Sequence, residues 1–297
     1  MKSIVFVILL STLSGLVSGQ SYRDRFDDLF AKNDTVRTRQ LLAEWEKANP
    51  NDPDLYTRSI NFYFANSKEE ALSIDQVQKG KQSLQLTDST GKVSGYLNSD
   101  RGYRSDQLVL AITYIDKGIV RFPNRLDMRF GKCYVLGQVG DYENFTREII
   151  RTVEYSTTNK NSWFWTDNKK LDHPEHFMLE TIQRYLKQLY DTENDSLLEN
   201  MKRIGAVTIK YYPNNIEILS TTAVAFTLTK DYDRALVYLK QAEKINPKDF
   251  IVLNNIAQAY KLKGDKVNAL HYFDLTEKYG DAEAKEQARK SKKELSK

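Results

Sequence analysis

The feature that most constrains this chain is an internal repeat: residues 216–249 are followed, 34 residues later, by a near copy at 250–283. At this offset ten residues are identical, where ordinary residue usage would give roughly two. The identical pairs are Leu219/Leu253, Ala223/Ala257, Ala225/Ala259, Leu228/Leu262, Asp231/Asp265, Ala235/Ala269, Leu236/Leu270, Tyr238/Tyr272, Glu243/Glu277 and Lys244/Lys278. The chain therefore uses one structural unit more than once.

The spacing of apolar residues within the second copy predicts a pair of helices. Leu253, Ile256 and Tyr260 fall on one face of a helix, and Ala257 lies between them. Gly264 ends that helix. The apolar face of a second helix then follows, with Ala269, Leu270 and Phe273. The small residues on both helices would let the pair approach closely.

This pattern resembles the tetratricopeptide repeat (TPR) family, whose unit reads Trp-x2-Leu-Gly-x2-Tyr, then Ala-x3-Phe, then Pro. Leu replaces the Trp and Ala replaces the Gly here, and Pro247 marks the linker between the two copies. The resemblance implies a right-handed superhelix of antiparallel helix pairs, whose concave face is lined by the first helix of each pair. The predicted fold class is therefore all-α, a TPR-like α-solenoid of about six helical hairpins.

Weaker helical patterns extend the array over most of the chain. Residues 21–66, 103–158 and 182–212 carry apolar residues at helical spacing. The turn Gly140-Asp141-Tyr142 is similar to Lys230-Asp231-Tyr232 in the clear repeat. The charged tail from Ala282 predicts a polar capping helix, which an open-ended stack needs for solubility.

Residues 68–102 have a different period, which predicts an insertion between the two helices of one unit. Leu84 and Leu86 alternate with polar residues, and a turn at 88–91 precedes a second alternating stretch. This pattern predicts a β-hairpin, with Leu72 and Ile74 as a possible third strand. The alternative is an irregular loop.

The first nineteen residues predict a secretory signal, so the domain proper is expected at 20–297. Lys2 precedes an apolar run from Ile4 to Leu10, and small residues at 17–19 suit cleavage before Gln20. The expected location is periplasmic or secreted, with no integral membrane segment. Glycosylation patterns at Asn33, Asn144 and Asn194 leave a eukaryotic lumenal location open.

The residues that could carry chemistry do not form a catalytic constellation. The cluster 173–176 holds two histidines and one acid, fewer ligands than zinc needs, so no metal and no cofactor are expected. Cys133 is the single cysteine and lies where a helix needs a small packing residue. The 44 basic and 40 acidic residues are spread along the chain, which argues against nucleic acid as a partner. We therefore expect that the protein is not an enzyme.

The predicted partner site lies on the first helices of the two clear repeats. The TPR resemblance places its ligand contacts on the concave face, where Asn and Lys hold a peptide's backbone or carboxylate. The candidates are Asn254, Asn255, Gln258 and Lys261 in the last repeat, and Ser220, Val224 and Thr227 in the one before. This mixed set predicts an extended peptide or a partner helix rather than a carboxylate-specific site.

Three adjacent aromatic residues, Trp163, Phe164 and Trp165, stand in an otherwise polar connection. Such residues anchor interfaces when exposed, but they also hold long loops onto a core, and the second role is the one we favour. Two alternatives follow. The aromatic residues could stack on a glycan or small ligand, or an enzyme site could lie in the insertions at 68–102 or 158–176.

Overall fold

The computed structural model describes residues 20–78 and 83–296, and within these ranges it confirms the predicted TPR-like α-solenoid. The predicted signal at 1–19 lies outside the described residues. In the part of the chain that is described, no helix is both long and apolar enough to cross a membrane.

Thirteen α-helices occur within these ranges, and the first twelve form six hairpins. Their bounds are α1 (Tyr22–Ala31), α2 (Thr35–Ala48), α3 (Pro53–Ser67), α4 (Ser105–Arg121), α5 (Leu126–Gln138), α6 (Tyr142–Thr158), α7 (Pro174–Tyr190), α8 (Leu198–Tyr211), α9 (Ile216–Leu228), α10 (Tyr232–Ile245), α11 (Phe250–Lys263), α12 (Lys266–Tyr279) and α13 (Ala282–Leu295). Odd-numbered helices from α1 to α11 are the first helices of the hairpins. They form what we call the concave face.

One turn design recurs between the two helices of four hairpins. The last residue before the cap has a positive φ, and an aspartate then caps the second helix by accepting a hydrogen bond from a backbone N–H in its first turn. The pairs are Asn33-Asp34, Gly140-Asp141, Lys230-Asp231 and Gly264-Asp265. Lys230 occupies with a φ of 64° the left-handed position that glycine takes at 140 and 264.

The repeat also recurs in the packing. Ala223 and Ala257 are wholly buried where the first helix of each clear repeat crosses its neighbours. Beside them the stacked pairs Phe226–Tyr238 and Tyr260–Tyr272 have ring centroids 5.6 and 5.8 Å apart. Small residues permit the close helix approach, and the aromatic rings fill the space that remains.

The insertion between α3 and α4 is a three-stranded antiparallel sheet, so the third strand suggested by the sequence is present. Its strands are β1 (Lys68–Asp75), β2 (Ser83–Thr87) and β3 (Val93–Tyr103), in the order β1-β3-β2. The sheet is rooted in the solenoid where the Arg104 N–H donates to the Ser67 carbonyl at 2.7 Å. Leu72, Ile74 and Leu84 are each about 70% exposed on one face of it.

Helix α13 closes the end of the stack as a largely polar cap. Ala288 and Ser291 are its buried residues. Its outer residues form ion pairs with α12, including Arg289 with Glu277 at 2.7 Å. The cap thus covers the apolar edge of the last hairpin and presents charge to solvent.

Candidate functional site

The predicted groove residues of the C-terminal repeats lie on the concave face, but several of them serve the fold. Ser220 is buried, and its Oγ accepts a 2.9 Å hydrogen bond from Nδ2 of Asn255. Nζ of Lys261 pairs with Glu294 of α13 at 2.7 Å. Thr227 donates to the Ala223 carbonyl on its own helix. Ser220, Asn255 and Lys261 thus take part in contacts between helices, whereas the Thr227 bond stays within α9.

Three of the seven candidates remain open to a partner. Asn254 and Gln258 are partly exposed, and their side chains form no hydrogen bond within residues 20–78 and 83–296. Val224 is partly exposed on the preceding repeat. They form a short strip with two free amides and one apolar side chain.

A second opening on the concave face arises where the regular stacking changes. First helices contact one another from α1 to α3, from α3 to α5, and from α7 to α9 to α11. Between α5 and α7 the backbones lie farther apart, while the helices behind them, α6 and α8, pack directly together. Tyr185 bridges the gap, because its hydroxyl donates to the Phe130 carbonyl at 3.1 Å.

This gap forms a cleft of about 390 Å³, which we call the aromatic cleft and which is within the size range of ligand sites. Four aromatic, two aliphatic and six polar or charged side chains line it, together with one glycine. Its lining residues are Thr57, Ile60, Asn61, Ile115, Asp127, Phe130, Gly131, Trp165, Thr166, Phe177, Thr181, Arg184 and Tyr185.

Gly131 leaves part of the cleft empty. It lies in the middle of α5, where glycine is unfavourable for a helix. A Cβ added at this position would meet no atom within 4 Å. The missing side chain is therefore not required by close packing, and the space above Gly131 belongs to the cleft.

The connection 159–172 forms one wall of the cleft. The Phe164 N–H donates to the Asn124 carbonyl at 2.9 Å, which ties the connection to the start of α5. Two short strands, β4 (Phe164–Trp165) and β5 (Lys169–Lys170), pair to form its tip. The ring of Trp165 meets that of Phe177 edge-on, with centroids 4.9 Å apart, and so reaches the cleft.

The three adjacent aromatic residues have different roles. Trp163 is completely buried, and Nε1 donates to Asn161 at 3.3 Å. The Arg129 guanidinium lies 5.9 Å from its ring centroid and 4.6 Å from that of Tyr155. A buried ring has no face for a sugar, so Trp163 is not the stacking platform that the glycan alternative requires. Phe164 and Trp165 are half-buried.

A charge network supports the same wall from behind. The buried Arg125 donates to both carboxylate oxygens of Asp127, at 2.8 and 2.7 Å, and reaches Asp54 at 3.4 Å. Arg23 pairs with Asp54 and, at 2.8 Å, with Asp167. Burial lowers the pKa of Arg125, but the hydrogen bond and charge of Asp127 and then of Asp54 outweigh it and raise that pKa. At the cleft, the carboxylate of Asp127 is therefore already paired with the Arg125 guanidinium.

Arg184 supplies a positive charge at the opposite wall. This exposed side chain on α7 donates to Oγ1 of Thr181 at 2.9 Å. No carboxylate forms an ion pair with it within the described ranges. Because the one acid in the lining is paired with Arg125, Arg184 is the charge that the cleft presents to a ligand.

A buried ionic cluster beneath the cleft is structural. Glu148, which is almost wholly buried, lies 3.4 Å from Arg129 and 3.2 Å from Lys132. Burial lowers the pKa of Arg129 more than the charge of Glu148 raises it. Cys133 lies beside this cluster, and burial raises the pKa of its thiol, which keeps it protonated. These groups hold α5 against α6.

The histidine cluster is at the start of α7. His173 is the N-cap residue, and its side chain forms no capping hydrogen bond. His173 and His176 are both exposed. Across residues 20–78 and 83–296, no group of three or more His, Cys, Asp or Glu side chains is placed to hold a metal ion.

Most residues of the cleft carry no recognisable signal in the sequence. Arg184, Tyr185 and Phe177 look like ordinary residues of an amphipathic helix. Two signals were available. Trp165 belongs to the aromatic triplet, and Gly131 is a glycine inside a helical pattern, which indicates close approach or an open space.

Comparison with known proteins finds similar solved structures but no match in sequence. No protein-family model matches the chain, and no curated protein matches it. The structural neighbours are TPR proteins. The C-terminal part of a TPR protein from Cytophaga hutchinsonii is 14% identical with a TM-score of 0.41, over 87% of this chain and 78% of that one.

Two further neighbours are more distant. YrrB, described as a TPR protein with an unusual peptide-binding site, has a TM-score of 0.39 at 14% identity, over 84% of this chain and 97% of that one. The TPR2AB domain of yeast Sti1, in complex with an Hsp90 peptide, has a TM-score of 0.34 at 10% identity, over 93% and 97%. The description of this chain as a TPR-like solenoid rests on its own helix pairs.

Proposed function

We propose that this protein is a non-enzymatic scaffold of the bacterial cell envelope that binds a peptide or partner protein along its concave face. One observation carries the proposal: the concave face opens between α5 and α7 into an aromatic cleft bordered by an arginine without an acidic partner in the described chain. Aromatic side chains and arginine are the residues that contribute most to protein interfaces.

The chemistry of the lining supports binding rather than catalysis. Asp127 is the one carboxylate in the cleft, and Arg125 holds both of its oxygens. Burial raises the pKa of the Tyr185 hydroxyl, which keeps its proton. A general base needs a group that gains and releases a proton near neutral pH, and the Tyr185 hydroxyl does not do so.

The strip of Asn254, Gln258 and Val224 extends the proposed surface along the same face. Free amides suit the backbone of an extended peptide, because each offers both a donor and an acceptor. The envelope location rests on the signal-like segment at 1–19.

Site-specific photo-cross-linking in living cells tests the proposal. A benzoylphenylalanine residue would replace Asn254 or Asn61 on the concave face, and the matched control would replace the exposed Val237 on α10. We expect one polypeptide to be attached from both concave positions and not from Val237. Mass spectrometry of the exported protein would also show whether the chain begins at Gln20.

Two outcomes would contradict the proposal. Adducts from Val237 alone would place the partner on the convex side. A protein that stays in the cytoplasm with Met1 retained would remove the envelope role.

A further inference from the structure

We infer that the aromatic cleft is a specificity pocket for one large apolar or aromatic side chain of a partner peptide that carries a carboxylate beside it. The inference rests on the proposed peptide-binding function and names the ligand chemistry. Regular TPR stacking does not create this cleft, because the cleft depends on the separation of α5 from α7 and on the connection 159–172.

The apolar half of the ligand follows from the lining. Phe130, Tyr185, Phe177 and Trp165 present rings or ring edges, and Ile60 adds an aliphatic side chain. The rings already contact each other edge-on, with Phe130–Tyr185 and Trp165–Phe177 centroids 5.6 and 4.9 Å apart. An entering ring or branched side chain would extend this arrangement and displace water from apolar surface.

The acidic half follows from charge complementarity. Arg184 lies on the α7 side with Thr181 as its only hydrogen-bond acceptor in the described ranges. On the other side, two guanidinium groups face three carboxylates, Asp54, Asp127 and Asp167. That network repels a ligand carboxylate, so such a group would lie towards Arg184. A planar guanidinium also suits bidentate contact with a carboxylate.

The wall that holds Trp165 is pre-formed rather than free. Trp163, two residues before Trp165, is buried, and the ion pair of Arg23 with Asp167 holds the far side of the tip. Holding the ring in place before binding lowers the entropy that binding must overcome. A short peptide can therefore be recognised without a large contact area.

Fluorine NMR of protein labelled with 5-fluorotryptophan provides the test, because the three tryptophans report from different places. Trp45 and Trp163 are buried away from solvent, and Trp165 reaches the cleft. The probe is the blocked peptide acetyl-Gly-Ser-Phe-Asp-Ser-Gly-amide, with variants in which Ala replaces Phe or Asn replaces Asp. The Trp165→Phe variant assigns the signals.

We expect the Trp165 signal alone to shift on titration. Replacing Phe by Ala should weaken binding about tenfold or more, since most of the buried apolar area is lost. Asn in place of Asp should weaken binding several-fold. In the Arg184→Gln protein, the Asp peptide and the Asn peptide should bind equally well. Gly131→Leu should abolish the shift by filling the cleft, whereas Gly131→Ala should only reduce it.

The controls separate blocking from unfolding. A Cβ at Gly131 would meet no atom within 4 Å and alanine favours a helix over glycine, so Gly131→Ala should melt at or above the wild-type temperature. The melting curve of Gly131→Leu shows whether that variant is folded when the shift is lost. Val237→Ala, on the exposed side of α10 and outside the proposed binding surface, should leave the Trp165 shift unchanged.

The inference is overturned if the Trp165 signal does not shift at millimolar peptide. It is also overturned if the shift is still seen in the Gly131→Leu protein. A shift that depends on protein concentration without peptide would identify a second copy of the chain as the occupant and overturn it as well. If photo-cross-linking finds no partner but Trp165 responds to the peptide, the pocket stands and the scaffold role fails.

Discussion

Nδ2 of Asn255 donates a 2.9 Å hydrogen bond to Oγ of Ser220, which joins the first helices of the last two repeats across the concave face. The residues are 35 positions apart, one more than the repeat period. A polar pair on the surface expected to bind a ligand is thus used to fix the spacing of neighbouring repeats. Its neighbour Asn254 has no such bond.

The adjacent asparagines give a matched stability test. Asn255→Ala leaves the buried Ser220 hydroxyl without its partner and should lower the free energy of unfolding by about 1 kcal/mol. Asn254→Ala should change it by less than about 0.5 kcal/mol, as surface substitutions usually do. Urea titrations followed by circular dichroism measure both. Equal effects would show that the Asn255–Ser220 bond contributes nothing to stability.

Lys230 offers a stabilising substitution. Its φ of 64° is left-handed, and the equivalent turns carry glycine at 140 and 264. Lys230→Gly should raise the free energy of unfolding by about 0.5–1 kcal/mol, because the left-handed strain exceeds the added backbone entropy of glycine. The reverse change, Gly264→Lys, should destabilise by a similar amount. Thermal melting checks the pair, and a lower melting temperature for Lys230→Gly would contradict the strain argument.

Trp163 and Trp165 should separate stability from binding. Trp163→Ala removes a fully buried ring beneath the connection 159–172 and should cost about 3–5 kcal/mol. Trp165→Ala removes a half-buried ring and should cost about 1 kcal/mol. Urea unfolding measures these values. If Trp165→Ala lowered the free energy of unfolding more than Trp163→Ala, the tip at β4 and β5 would be what holds the connection in place.

The sheet should be dispensable for the solenoid. Glu69 and Gly102 are directly opposite in the β1–β3 ladder, so an Asn-Gly turn can join them after residues 70–101 are removed. Tyr103 stays in place, where its ring stacks on Phe64 at 5.7 Å. We expect the helical circular dichroism signal, divided by the number of helical residues, to be the same in the deletion variant as in the wild type. Loss of the cooperative melt would show that the solenoid requires the sheet.

Ala257 tests the repeat packing itself. The residue is fully buried, and Ala257→Trp overpacks the crossing at a cost of about 1–3 kcal/mol or more. In a stack held by neighbour contacts, the damage should spread to the adjoining hairpin. Gln258→Trp, one residue along on the open strip, should melt like the wild type. Hydrogen exchange should show that amide protection is lost in α9–α13 only. An equal loss of protection along the whole chain would indicate a single cooperative unit.

The repeat, the fold class and the turns could be predicted from the sequence alone. These follow from local rules: apolar spacing sets the helix faces, small residues set the close crossings, and Gly-Asp or Lys-Asp sets the turn between two helices. Each rule acts within about one period of the chain, so residues such as Ala257 and Asp265 carry their structural meaning in their immediate neighbours. The alternating stretch at 68–102 indicated strands for the same reason.

The place where a ligand could bind became visible only once the helices were packed together. Gly131, Trp165 and Arg184 come from two helices and a connection, and they meet because α7 lies away from α5 while α6 and α8 stay together. Likewise Asn254 and Asn255 are indistinguishable by residue type, and only the position of Ser220 shows that one is engaged. A cleft depends on the space that several elements leave between them, and no local pattern encodes that space.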